Sequence, residues 1–135
     1  MTTNLELIEM AKKMRIRSFR NVYMKDELKN IKPLEKESMI VNFETSSEGG
    51  SHWFAIHKNG NDIKYFDSYG TPKLKEVIDY YKGYEVKHFQ SYDGKYPDKP
   101  VQELGTSVCG QLSILFLRLC DMNFEFKNII KILSP

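Results

Sequence analysis

The segment HWFAIHKNGNDIKYFD, residues 52–67, restricts the fold more than any other part of the chain. Two runs rich in β-branched and aromatic residues flank Asn59-Gly60, the pair preferred in two-residue type I′ turns. An antiparallel hairpin is expected. With Asn59 and Gly60 as the loop, Lys58 faces Asn61. Counting outward through His57/Asp62, Ile56/Ile63, Ala55/Lys64, Phe54/Tyr65 and Trp53/Phe66 then brings His52 opposite Asp67. Directly opposed residues share a face with Cβ atoms about 4.5–5.5 Å apart, close enough for a carboxylate to accept from an imidazole N–H. Such a carboxylate fixes the tautomer of the ring and raises its basicity. A four-residue loop moves the register by two and keeps both residues on one face, whereas an odd slip separates them.

Around this hairpin, punctuation and periodicity place the other elements. Thr3 followed by Glu6 has capping-box spacing and predicts a helix from about residue 4. SFRNVYMKDEL is open between a second short helix and a loop, and SMIVNFET (38–45) alternates as a strand does, before Gly49-Gly50 breaks the chain. TPKLKEVIDYYKG has Thr71 as N-cap, Pro72 at the first helical position, Leu74, Val77, Ile78 and Tyr81 on one face, and Gly83 as the stop. YEVKHFQ reads as a strand and 91–100 as a loop. Residues 109–121 read as a helix apolar almost all round and therefore buried, and about 125–133 as a last amphipathic helix. The chain has 135 residues, one domain's length with enough apolar content for a single core, so residues 1–135 are taken as one domain.

The stretch QELGTSVCGQLSILFLRLC (102–120) supplies what an oriented histidine lacks. Thr106 or Ser107 is placed to cap the helix that begins at Cys109. The positive end of a helix and a nearby imidazolium both stabilise a thiolate. Gly110 leaves room for a substrate or another backbone to come close. Gln102 ends the polar loop and is positioned to donate its amide N–H to an oxyanion, beside the backbone N–H of Cys109. Each feature also has an ordinary reading: a thiol packed at a helix start, a histidine packed beside Trp53, a solvated loop glutamine. The residues alone leave both readings open.

Other functions find little support. The formal charge of +2 gives no argument for nucleic acid or membrane, and the locally basic KKMRIRSFR (12–20) reads as a solvated helix face. No apolar run reaches the roughly 18 residues of a membrane span, and the N-terminus lacks the apolar core of a signal peptide, so the chain is expected to stay where it is made. Cys109 and Cys120 on one helix are separated by about 16 Å, too far for a disulfide, which favours free thiols and a reducing compartment. His57, beside the turn, is expected to be exposed, and His88 to be one polar residue of an alternating strand. Neither has partners at metal-ligand spacing. Cys120 reads as a packed thiol.

GGSHWFAI, YFDSYGTP and QELGTSVCGQLSILFL together resemble the adenain-type cysteine proteases, the adenovirus maturation protease and its relatives in other double-stranded DNA viruses, virophages and related mobile elements, with the Ulp1/sentrin proteases as wider kin. The likeness runs from about Phe19 to Phe116. Adenain has Glu where this chain has Asp67, whereas the Ulp1 branch has Asp. The resemblance implies an α+β, papain-like/adenain-like fold in which a central sheet packs against a buried helix starting at the nucleophile. It implies His52 as general base, Asp67 as its orienting carboxylate, Gln102 as oxyanion donor and Cys109 as nucleophile, with Trp53 and Gly110 lining the substrate cleft. It implies a cysteine endopeptidase without metal or other cofactor. Its partners would be protein or peptide substrates, viral capsid or core precursors cleaved near Gly or Ala, with an activating peptide or DNA left open. The resemblance places a monomer in the host cytoplasm, virus factory or virion interior. The length, short for such a protease, implies the loss of accessory substrate- or cofactor-binding elements. Three alternatives remain: a Ulp1-like isopeptidase acting on ubiquitin-like tails, a non-catalytic binding module of the same fold, and an acyltransferase with the same residue order.

Overall fold

Apolar residues that fall on both faces of a strand demand cover on both sides, and the middle of this chain is built that way. The computed structural model describes residues 3–44, 52–68, 74–86, 88–90 and 109–134. Among these, five strands form one sheet in the order β1 (Phe19–Met24), β2 (Lys36–Asn42), β3 (Trp53–Asn59), β4 (Asp62–Phe66), β5 (His88–Gln90). The central ladders β2–β3 and β3–β4 are antiparallel, and the outer pairs β1–β2 and β4–β5 are parallel.

The strands' two-residue period sorts the core into two layers. Ile40, Trp53, Ala55 and Phe66 pack with residues of helices α1 (Asn4–Lys13), α3 (Cys109–Asp121) and α4 (Phe126–Leu133). Met39, Val41, Phe54, Ile56, Ile63 and Tyr65 face the other way, onto Leu28 of a 3₁₀ helix (Lys25–Asn30) and Val77 of α2 (Lys75–Tyr80). The result is an α+β sandwich of helix, sheet and helix. Helix α3 lies against β3, and its Phe116 stacks on Phe66 of β4 with ring centroids 4.9 Å apart. Cys109, Ser113, Phe116, Leu117 and Cys120 are all buried. Its far end is pinned by Asp121, whose carboxylate accepts the Arg17 backbone N–H at 2.6 Å.

Helix α1 starts at its expected cap, where Thr3 Oγ1 accepts the Glu6 N–H. Helix α2 starts later than its sequence suggests: Leu74 is the cap, Thr71 and Pro72 lie outside the described residues, and Ile78, expected on the apolar face, is exposed. Gly83 follows with a φ of +95°, as a helix stop requires. SFRNVYMKDEL is divided: its first part is strand β1, which the sequence reading missed, and KDEL opens the short 3₁₀ helix. The basic stretch KKMRIRSFR is likewise not one helix face. Lys12 and Lys13 end α1, a turn with positive φ at Arg15 and Ser18 follows, and Arg20 enters β1.

Beneath α2 the sheet holds a buried carboxylate. Glu37 is fully buried and accepts from Arg20 at 2.9 Å, Tyr81 Oη at 2.8 Å, Tyr80 Oη at 3.0 Å and the Leu34 N–H at 3.2 Å. Lys58, opposite it across β2–β3, is 1% exposed and turns its ammonium to the carbonyls of Leu34 and Glu35 and over the Tyr84 ring. A buried charge persists only with such partners.

Candidate active site

The hairpin turn is displaced by one residue from its expected position. Asn59 pairs with Asp62, so Gly60-Asn61 is the loop, and Gly60 has the φ of +62° expected of glycine at the first position of a type II′ turn. The third strand explains the shift. Asn59 is paired to Lys36 of β2 and the Gly60 N–H donates to the Glu35 carbonyl, which keeps Asn59 in the strand and pushes the turn onward. The register moves by two, and parity survives. His52 and Asp67 are therefore diagonal rather than directly opposed, and both remain on the face of Phe54, Ile56, Ile63 and Tyr65.

Diagonal partners lie about 7–8 Å apart, within reach only of long or aromatic side chains. The outer imidazole nitrogen spans that gap: Nε2 of His52 meets Oδ1 of Asp67 at 2.7 Å. Asp67 is fully buried, and the His52 side chain is 12% exposed. With Nε2 on the carboxylate, the imidazole also feels the thiol of Cys109, which acts on His52 from the start of α3. Cys109 belongs to the opposite core layer, and the two layers meet at the end of the sheet.

The sulfur enters there because the ladder stops. The β3–β4 pairing ends at Ala55 and Phe66, while His52 turns its carbonyl to β2, accepting from the Phe43 N–H at 2.9 Å. Backbone groups alternate sides along a strand, so the Trp53 N–H points away from β2, past the last rung with β4. It donates to the Cys109 sulfur, as does the Gly110 N–H of the first turn of α3. The Trp53 indole is 4% exposed in the α1 layer and donates to Asn4 at 2.7 Å, so this residue reaches the thiol through its backbone.

Electrostatics follow from these contacts. Burial drives the imidazole toward neutrality, yet the hydrogen bonds and charges of Asp67 and Cys109 outweigh it and raise His52 to about 9. Burial likewise raises the Cys109 thiol, but the hydrogen bond from His52, the Trp53 N–H, the charge of His52 and the Gly110 N–H bring it below its ordinary value. Both shifts favour an imidazolium–thiolate pair, a nucleophile with its proton already on the neighbouring base. Cys120, on the same helix, has no such partners, and burial pushes its thiol up to about 12.

Gln102, Thr106 and Ser107 lie outside the described residues. His57 is not exposed but partly buried: it pairs with Ser38 across β2–β3, with Oγ and Nδ1 3.0 Å apart, and burial followed by the charge of Lys64 lowers its pKa. Among the described residues no three His, Cys, Asp or Glu side chains gather as metal ligands would. None of the described helices is long and apolar enough to cross a membrane. Sequence reasoning missed the Trp53 backbone donor and Phe43, whose ring stacks on His52. The cross-strand count that placed Asp67 would have found Phe43 had β2 been registered against β3.

No family model matches the chain, and no curated protein matches it. Among solved structures it is similar to the ASFV pS273R protease, with a TM-score of 0.63 and 17% sequence identity. The match covers 95% of this chain and 60% of that one, so the chain spans a little over half the length of the protease it resembles. A likeness of this depth at this identity is a likeness of fold: the α+β architecture is similar to that of a protease.

Proposed function

We propose that the protein is a cysteine endopeptidase with Cys109 as nucleophile, His52 as acid and base, and Asp67 as the carboxylate that orients it. One observation carries the reading: the thiol at the start of α3 lies beside an imidazole that a buried carboxylate holds at 2.7 Å. The shared fold with a protease supports it.

The chemistry follows from the pair. The Cys109 thiolate attacks the scissile carbonyl carbon, forming the S–C bond and placing the charge on oxygen. The backbone N–H of Cys109 and the Gln102 amide are the proposed donors to that oxyanion. Collapse breaks the C–N bond while the His52 imidazolium gives its proton to the leaving amine. Water then attacks the thioester with His52 as base, releasing the acid and restoring the thiolate–imidazolium pair. Asp67 keeps Nε2 protonated and the ring directed at sulfur throughout.

Viral capsid or core precursors cleaved beside Gly or Ala are the proposed substrates, from the resemblance to adenain-type proteases, and Gly110 is the proposed close-approach point in the cleft. Incubating the wild type and Cys109→Ala with a viral structural polyprotein and sequencing the new termini tests this. Termini at small residues that vanish with Cys109→Ala are expected. Cleavage of ubiquitin-like C-terminal probes in their place would assign the protein to isopeptidases.

A further inference from the structure

Asp67 holds one edge of the imidazole at 2.7 Å, and the faces of the ring need a separate constraint. Phe43, one residue past β2, supplies one. Its ring lies 4.8 Å from the His52 ring, centroid to centroid, at 21°. This is stacked geometry, and the two residues are cross-strand neighbours joined by the Phe43 N–H to His52 carbonyl bond. Phe43 is itself braced. It meets Phe54 edge-on at 5.0 Å and 60°, and Phe54 stacks on Tyr65 at 4.8 Å. A row of rings therefore runs from the core of the α2 layer to the imidazole.

We propose that Phe43 is the positioning residue for His52, the aromatic face that holds the imidazole in the plane joining Asp67 to Cys109. The inference rests on the peptidase reading and deepens it. Rotation of the imidazole out of that plane breaks its bond to Asp67, turns it away from Cys109 and drives its edge into the Phe43 ring. The stack also prefers one protonation state, because an aromatic face attracts a cation more than a neutral ring. Among the described residues, the charged or titratable groups that act on His52 are Asp67, from the chain after β4, and Cys109, from α3. Phe43 adds a contribution that neither of them makes, and it acts on sulfur only through the imidazole.

The test reads the pair without needing a substrate. The rate of Cys109 carboxamidomethylation by iodoacetamide is followed by mass spectrometry from pH 5 to 10 in the full chain as wild type, Phe43→Leu and Phe43→Tyr. Leucine keeps bulk and loses the π face; tyrosine keeps both. Phe43→Leu is expected to lower the rate at pH 6 about fivefold to tenfold while leaving the fully ionised plateau unchanged, and Phe43→Tyr to retain the wild-type profile. Superimposed wild-type and Phe43→Leu profiles overturn the inference while leaving the peptidase reading standing. A wild-type rate that rises only with ordinary thiol ionisation overturns both. Nuclear Overhauser contacts between the Phe43 and His52 rings in the wild type provide a reading that needs no variant. They are expected throughout the range, and their absence overturns the proposal.

Discussion

An imidazole between a buried carboxylate and a thiol keeps its proton well above the usual histidine range, and the direction of each effect fixes the pH behaviour. His52 is raised to about 9 and Cys109 lowered from its ordinary value, so the ion pair forms as pH rises through the depressed thiol titration and is lost as pH passes about 9. A bell-shaped kcat/KM with an alkaline limb near 9 is expected from initial rates on a peptide substrate. Asp67→Asn removes the largest of the effects that raise His52, and should move that limb to lower pH and cut turnover, though less completely than loss of the nucleophile. An unmoved alkaline limb would show that Asp67 does not set the titration. Cys109→Ala should abolish turnover with the fold intact, whereas Cys120→Ala, at a thiol that burial pushes up to about 12, should remain active. At this scale His52, Asp67 and Cys109 were legible as candidates from residue type and parity alone. The backbone donor of Trp53 was not, because every residue carries an N–H and only the end of a ladder leaves one available to a sulfur.

Among the elements, the hairpin shows why a register error did no harm. Moving the turn from Asn59-Gly60 to Gly60-Asn61 changes each partner by two, and two is the period of the strand. The cause was invisible locally, since it lies in the pairing of Asn59 with Lys36 on β2. Strand β1 was missed for a related reason. It is an edge strand paired in parallel with β2, with a register break between Phe19 and Val22, so its polar and apolar residues do not alternate cleanly. Helix α2 depends on tertiary contacts more than on its cap, since Tyr80 and Tyr81 both donate to buried Glu37. Tyr81→Phe should cost about 1.5–3 kcal/mol in chemical denaturation, the loss of one hydrogen bond to a charged acceptor. Glu37→Ala, which also strips Arg20 of its carboxylate, should cost about 3–5 kcal/mol. A Glu37→Ala variant as stable as the wild type would show that the network is not what holds α2 to the sheet.

Across the whole molecule, three helices on one face of the sheet and a helix with a 3₁₀ segment on the other leave a seam at the end of β3 and β4. The seam holds His52 from one layer and Cys109 from the other. The α+β class could be read from one strong hairpin and the long buried helix at 109–121, whose bounds match the structure. The layer assignment could not, because it depends on which strands neighbour each other. Gln102 belongs to this scale, since its proposed role needs a substrate bound across the seam. Gln102→Ala should leave the alkylation of Cys109 by iodoacetamide unchanged while lowering peptide turnover by about 10²–10³, the usual effect of losing one oxyanion donor. A parallel fall in both assays would make it a support for the loop instead.

Mass spectrometry of a diverse peptide library decides whether Cys109 cleaves peptide bonds with His52 as its base. The library is incubated at pH 7–8 with the wild type and with Cys109→Ala. The wild type should generate new termini enriched in Gly and Ala beside the cut bond, and Cys109→Ala none above background. Equal cleavage by both proteins, or none by the wild type alongside a fully alkylatable Cys109, would contradict it.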